Sequence, residues 1–205
     1  EADKKLLFYL FKNRHTRPFE SCNITFNIKL PIFCMRQLVR HRTIRLNEWS
    51  GRYSELKDEF YIPETWRSQD TKNKQGSLDA GRWDPPVVLY DQDGPVTENA
   101  THSLEYICEV SYRCYQEMLK QGVAKEMARM CLPVNLFTEI YANVDVHNLI
   151  HFLNLRQDPH AQLEMRVIAD AMDSVFQELF PWCAEARNRF KVKVVENGIE
   201  EKLVL

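Results

Sequence analysis

Apolar and polar positions along the chain alternate between two periods, and the changes of period mark out helices with a few separated strands. Leu6, Leu7, Leu10 and Phe11 recur at helical spacing, which predicts a helix over residues 2–13. Over 23–30 the period drops to two. Ile24, Phe26, Ile28 and Leu30 share one face and Asn23, Thr25, Asn27 and Lys29 the other, as in a half-buried strand. Pro31 then stands where a helix begins, since its missing N–H is harmless there, and this helix is expected to run to about residue 42. Residues 58–99 are polar and broken by Pro63, Gly76, Gly81, Pro85, Pro86 and Pro95. They read as a long, largely irregular insertion with one short strand at 87–90.

A helix is expected over 97–121, its buried stripe made by Leu104, Ile107, Cys108, Ser111, Tyr115 and Met118, with Gly122 to end it. A shorter helix over 124–131 stops at Pro133, and 134–142 reads as a second alternating strand. Two further helices, 146–157 and 160–179, are separated by Asp158-Pro159. Helices with non-consecutive strands argue for an α+β fold, a mixed and mainly antiparallel sheet flanked by helices, in a single domain over 1–205. The chain starts at Glu1 on what reads as mid-helix, which points to a natural N-terminus further upstream.

Composition adds mainly exclusions. Of the 205 residues 44% are hydrophobic and 27% charged, enough for a core, and the net charge of −2 gives no global attraction to nucleic acid or acidic membranes. No apolar run reaches the ~20 residues of a membrane span. The cysteines (Cys22, Cys34, Cys108, Cys114, Cys131, Cys183) form no CxxC pair and read as small hydrophobes in a reducing, cytoplasmic setting.

One stretch departs from this mild background. Residues 36–53 carry Arg36, Arg40, Arg42, Arg45 and Arg52 against one acid, Glu48. In a helix, Gln37, Arg40 and His41 would share a face. Arginine's planar fork suits phosphate, and the Ser50-Gly51 turn offers a hydroxyl and backbone N–H groups beside it. A solvated basic surface or an RNA-binding patch is the competing reading. Arg156, at the end of a predicted helix, is either a site residue or a cap complementing the helix dipole. His147 and His151 lie four apart on that helix, but without a third ligand at recognisable spacing they predict no metal site.

Several blocks together resemble a known family. Arg40-His41-Arg42, seven residues, then Ser50 matches the RHR-x7-S signature of the flavin-dependent thymidylate synthases, the ThyX family, continuing through Arg52 and Tyr53. His15-x-x-Pro18-Phe19-Glu20, Ala128-Arg129-x-x-Leu132-Pro133, Leu153-Asn154-Leu155-Arg156 and His160-Ala161-Gln162 follow in the family's order. The resemblance implies reductive methylation of dUMP to dTMP, with FAD as cofactor, 5,10-methylenetetrahydrofolate as carbon donor and NADPH as reductant. It also implies a homotetramer whose active sites are shared between subunits.

By the same resemblance Gln37, Arg40, Glu48, Ser50, Gly51, Arg52, Arg129 and Arg156 line the dUMP site. His15, Arg17, Glu20, Arg40, His41, Arg42, Glu48, Asp145, His147, His151 and His160 contact FAD, and His15 and Tyr53 border the folate cleft. Arg156 is the catalytic residue, stabilising negative charge on the uracil ring, a role that suits a side chain that stays charged when half buried. The chain departs from the family at Arg17, Asp145, His147 and His151, and Asp145 can instead cap a helix. A related transferase acting on another pyrimidine nucleotide or carrying hydroxymethyl would keep these blocks. A non-enzymatic nucleotide- or RNA-binding module is the alternative of a different class.

Overall fold

A computed structural model describes residues 1–91 and 93–190; the end of the expected single domain, 191–205, lies outside the described residues. By its internal packing the chain divides into two compact units, one of Glu1–Phe26, His41–Arg45 and the chain from residue 142 on, the other of Asn27–Arg40 and Leu46–Tyr141.

The chain begins with helices α1 (Ala2–Lys12) and α2 (Arg17–Glu20), followed by strand β1 (Asn23–Pro31) and helix α3 (Ile32–Leu38). β1 keeps the expected alternation: Ile24, Phe26 and Leu30 are buried while Asn23, Thr25, Asn27 and Lys29 are exposed. Pro31 closes the strand in an extended conformation and serves as N-cap of α3.

The helix then stops at Leu38, short of the expected residue 42. Val39 N–H reaches the Met35 carbonyl at 3.0 Å, and a second turn closes from Ile44 N–H to the His41 carbonyl, also 3.0 Å. Strand β2 (Arg45–Glu48) begins immediately afterwards, so the chain must reverse within six residues, and Leu38 and Ile44 are buried at either end of that reversal. Gln37, Arg40 and His41 therefore do not share a helix face.

The 58–99 segment is more regular than its composition suggested. It holds two antiparallel hairpins: β3 (Arg67–Gln69) with β4 (Ser77–Asp79), and β5 (Pro86–Asp91) with β6 (Gly94–Asn99). The expected strand at 87–90 lies within β5. Helix α4 (Ala100–Lys120) follows, opened by the Asn99 side chain accepting from His102 N–H at 2.7 Å and closed at Gly122, whose φ of +81° suits a glycine. Its buried positions are Ala100, Ser103, Cys108 and Tyr115; Ile107, expected among them, is 43% exposed. Tyr115 and Tyr112 grip Leu56, the first accepting from its N–H and the second donating to its carbonyl, each at 3.0 Å.

After α5 (Lys125–Ala128) and a 3-10 turn at Arg129–Cys131, strand β7 (Phe137–Asp145) starts three residues later than expected. The delay has a cause: Leu136 N–H turns back to the Pro133 carbonyl, while the Val134 and Leu136 carbonyls accept from Phe33 and Ile32. β1, β7 and β2 form a three-stranded sheet in that order.

The chain ends its described course in helices α6 (Val146–Arg156), α7 (Leu163–Leu179) and α8 (Pro181–Phe190). α7 begins at Leu163, so His160 sits in the preceding turn instead of opening the helix. α8 extends the expected course beyond residue 179, with Pro181 as its first helical residue, where the missing N–H is harmless. α6 packs on α2 and α7, and α8 on α7 and α1. Among the described residues no helix is long and apolar enough to cross a membrane.

Candidate active site

Arg156 is the last residue of α6 and is partly buried. Its Nε–H donates to His41 Nε2 at 3.0 Å. Accepting on Nε2 requires His41 to be neutral, and the surroundings enforce that. Burial, then the cation of Arg156, then His151, lower the His41 pKa to about 4. The His41 ring also stands edge-on to Phe152, centroids 4.9 Å apart. Burial lowers the Arg156 pKa too, yet a guanidinium is basic enough to keep its charge. A helix cap alone would need no such lateral bond to a histidine from another segment. The cluster of His41, His151, Phe152 and Arg156 thus presents a fixed cation whose plane is set by a neutral partner.

Most of the other residues expected near FAD lie in the same unit, whereas Arg40 and Glu48 lie in the second. His15, Thr16 and His147 line a recess with Leu10, Phe11, Arg14, Phe19 and Ile150. Thr16 Oγ1 donates to Glu20 at 2.6 Å, and the exposed Arg17 lies 3.7 Å from the same carboxylate. Asp145 is the N-cap of α6: its two oxygens accept from Asn148 N–H at 2.9 Å and from the Asn148 amide at 2.7 Å. That carboxylate is committed to the helix end, which explains an acid where a phosphate contact was expected. His160 is exposed and folds onto Asp158, its backbone N–H at 2.8 Å and its Nδ1 at 2.9 Å from Oδ1. Arg42 is exposed, whereas Arg45, counted in the basic stretch, donates to Asn143 of β7 at 2.8 Å. Among the described residues no cluster of three or more potential metal ligands occurs.

The second unit carries most residues expected at dUMP. Gln37 lies in the last turn of α3 and Arg40 lies exposed in the following turn. Glu48, in β2, accepts from Thr138 Oγ1 at 2.8 Å. Beyond β2 the chain turns tightly: Ser50 Oγ accepts from Arg52 N–H at 3.3 Å, and the Ser50 carbonyl from Tyr53 and Ser54. Gly51 is buried against the Leu56 side chain, which a Cβ there would meet at 3.1 Å, so a side chain at this position would require Leu56 to shift by a few tenths of an ångström. Arg52 pairs with Glu126 of α5 at 3.0 Å, both partly exposed. Lys125 donates to the Tyr53 carbonyl at 3.2 Å, while the Tyr53 ring is 79% exposed. Arg129 is exposed on the 3-10 turn.

One polar residue that sequence reasoning missed is Arg187 of α8, 3% exposed and bonded to α6 and α7. The only available signal was its place among alanines at helical spacing, which reads as core instead of charge.

The family model described as thymidylate synthase complementing protein matches residues 1–182. Among curated relatives, the flavin-dependent thymidylate synthase of Kosmotoga olearia is 43% identical over 91% of this chain and 76% of its own length. Its counterpart from Thermus thermophilus is 46% identical over 89% of this chain, which spans 63% of that protein. The one from Thermosipho africanus is 42% identical over 94% of this chain and 80% of its own length. Among solved structures, the UMP/dUMP methylase PolB from Streptomyces cacaoi is similar when bound with 5-Br UMP, with a TM-score of 0.78 at 30% identity over 92% of this chain and 82% of that one. Its form bound with 5-Br dUMP gives 0.74 at 31% identity, over 92% and 80%. With RHR-x7-S intact and most of its length matched, the chain belongs to the family of flavin-dependent thymidylate synthases.

Proposed function

We propose that the chain converts dUMP to dTMP, taking the one-carbon unit from 5,10-methylenetetrahydrofolate and its reducing equivalents from NADPH through FAD. The observation that carries this reading is the His41–Arg156 bond, a half-buried neutral imidazole fixing a cation within the family's sequence blocks. The curated relatives support dUMP as the substrate.

The residues present suit FAD. The recess at His15, Thr16 and His147 combines apolar side chains with Arg14 and ring N–H groups, surface and donors of the kind that part of a flavin nucleotide contacts. Arg40, His41 and Arg42 add donors from the signature turn; with His15, Thr16, His147 and His151 they are the residues that would hold the cofactor. Bound there and reduced by NADPH, the flavin would supply the two reducing equivalents that convert the transferred carbon to a methyl group. Glu20 lies beside the recess through Thr16, and His160 guards the turn before α7.

Arg156 binds the uracil edge and stabilises negative charge as the ring becomes nucleophilic at C5, a contact that strengthens toward the transition state. Gln37 and Glu48 orient the nucleotide. Ser50, the Gly51 backbone, Arg52 and, from another subunit, Arg129 hold its phosphate. Tyr53 borders the folate cleft. The working form is a homotetramer in the cytoplasm, with all of 1–205 as one catalytic domain.

The test is direct. The purified protein should show a flavin absorbance band and form dTMP only when dUMP, methylenetetrahydrofolate and NADPH are all present. A colourless protein that cannot be loaded with FAD would leave a nucleotide-binding module as the better reading. The likeness to PolB favours a second reading, in which UMP is also methylated; equal rates on UMP and dUMP in competition would establish it.

A further inference from the structure

Arg156 stands between two residues that are tied elsewhere. Asn154, two positions earlier, accepts from Arg187 Nε–H through its Oδ1 at 2.9 Å. Gln157, one position later and the C-cap of α6, accepts from Arg187 Nη2 through its Oε1 at 2.5 Å. The Gln157 amide then donates to Asp170 at 2.8 Å and to Asp173 at 3.1 Å, both on α7. Arg187 itself is held by Asp173, Nη1 to Oδ1 at 2.9 Å, and Gln177 donates to the other oxygen of Asp173 at 3.0 Å. One guanidinium thus ties its own helix, α8, to α6 and α7, and two of its bonds end on the helical turn that carries Arg156.

This arrangement is expensive unless it has a use. Arg187 is 3% exposed and Asp173 8%, and burial lowers the arginine's pKa while Asp173 raises it. Buried ion pairs often stabilise a fold no better than apolar packing would, and their best-attested benefit is a unique geometry. The last turn of a helix ordinarily frays, because its carbonyls lack helical partners. Here that turn must aim a side chain whose Nε is already fixed by His41 at 3.0 Å. The planar fork of Arg187 gives direction to two side chains at once, which a point charge does not.

We infer that Arg187 is a positioning residue for Arg156: through Asn154 and Gln157 it locks the C-terminal turn of α6 so that the reactive guanidinium keeps one orientation. This rests on the proposed role of Arg156 in dTMP formation. Arg187→Lys keeps a cation beside Asp173 but cannot span Asn154 and Gln157 together. Single-turnover dTMP formation should fall about 10- to 100-fold, the scale of a small misplacement of a catalytic group, with the dUMP dissociation constant and flavin content within about twofold of wild type.

A double-mutant cycle separates positioning from general stability. If Arg187 acts through Arg156, Arg156→Lys/Arg187→Lys turns over no more slowly than Arg156→Lys alone. Multiplying losses, or wild-type turnover in Arg187→Lys with a lowered Tm, would overturn the inference and leave a purely structural clamp. Should Arg187→Lys fail to fold, Asn154→Leu/Gln157→Met removes both acceptors on the turn while keeping the Arg187–Asp173 pair, and the same cycle with Arg156→Lys applies. Wild-type turnover in Arg156→Lys itself marks failure of the underlying reading; loss there without loss in Arg187→Lys marks failure of this inference alone.

Discussion

Arg156 and Arg52 are the same side chain in two opposite settings. Arg156 is partly buried, bonded through Nε to a neutral histidine, and carried on a turn braced by α7 and α8. Arg52 lies on an exposed turn after β2 and is held by one ion pair to Glu126, with 58% and 52% of the two side chains open to solvent. The first surroundings fix direction before any ligand arrives, which is what stabilising a developing charge requires. The second permit exchange: an exposed ion pair is worth only about 0–1 kcal/mol, so a dianionic phosphate can displace Glu126 at little cost. Direction is built where chemistry is expected, and adaptability where binding is.

The most drastic way to break the comparison is to dismantle the buried side. His41→Ala removes the Nε2 acceptor and the ring against Phe152, and Arg42→Ala removes the adjacent cation. Each lost charge-assisted contact costs about 1.5–3 kcal/mol, roughly 10- to 100-fold in affinity, so both variants should elute from gel filtration nearly free of flavin. Unchanged absorbance in both would remove FAD from this turn.

Acid should break the same side without mutation. The folded His41 pKa is about 4 against an ordinary 6.5, so between those values the unfolded chain binds more protons than the folded one. Stability contributed by the neutral ring is full above about pH 6.5 and is lost as pH falls toward 4, by roughly 1–3 kcal/mol. Thermal melts of flavin-free protein across this range should show that slope, and His41→Gln, which does not titrate, should flatten it. Parallel curves for the two proteins would contradict a half-buried neutral imidazole.

On the exposed side the effects are smaller. Arg52→Ala should weaken dUMP binding about tenfold through one lost charge-assisted contact, with Tm almost unmoved because the pair with Glu126 is a surface one. A large fall in Tm would make Arg52 a structural residue. Glu126→Gln should release Arg52 and tighten dUMP binding about twofold; weaker binding would mean that Glu126 positions the arginine instead of competing for it.

Much of this was legible before the structure. Strict alternation along 23–30 gave β1, and the apolar stripe with Gly122 at its end gave α4, whose start at Ala100 lies three residues beyond the expected 97. These signals are local, and burial of a single face enforces them. The RHR-x7-S block located the basic stretch that leads to Arg52, and the block Leu153-Asn154-Leu155-Arg156 located Arg156. The end of α3 was not legible, because no Gly or Pro marks Leu38; the stop is imposed by the reversal into β2. The hairpins at 67–99 were hidden by polar strands with exposed side chains, such as Ser77–Asp79, where burial leaves no pattern to read. Arg187 was invisible for the opposite reason. A buried charge is recognisable only once its partners Asp173, Asn154 and Gln157 are seen around it.

The contrast between the two arginines is tested most directly by measuring, for Arg156→Lys and Arg52→Ala side by side, the dUMP dissociation constant by flavin-absorbance titration and the single-turnover rate of dTMP formation. The account predicts that Arg156→Lys loses about 100-fold or more in rate while its dUMP affinity stays within about threefold of wild type, and that Arg52→Ala shows the reverse emphasis. Wild-type turnover in Arg156→Lys, with flavin bound, would contradict it and reduce Arg156 to a helix cap.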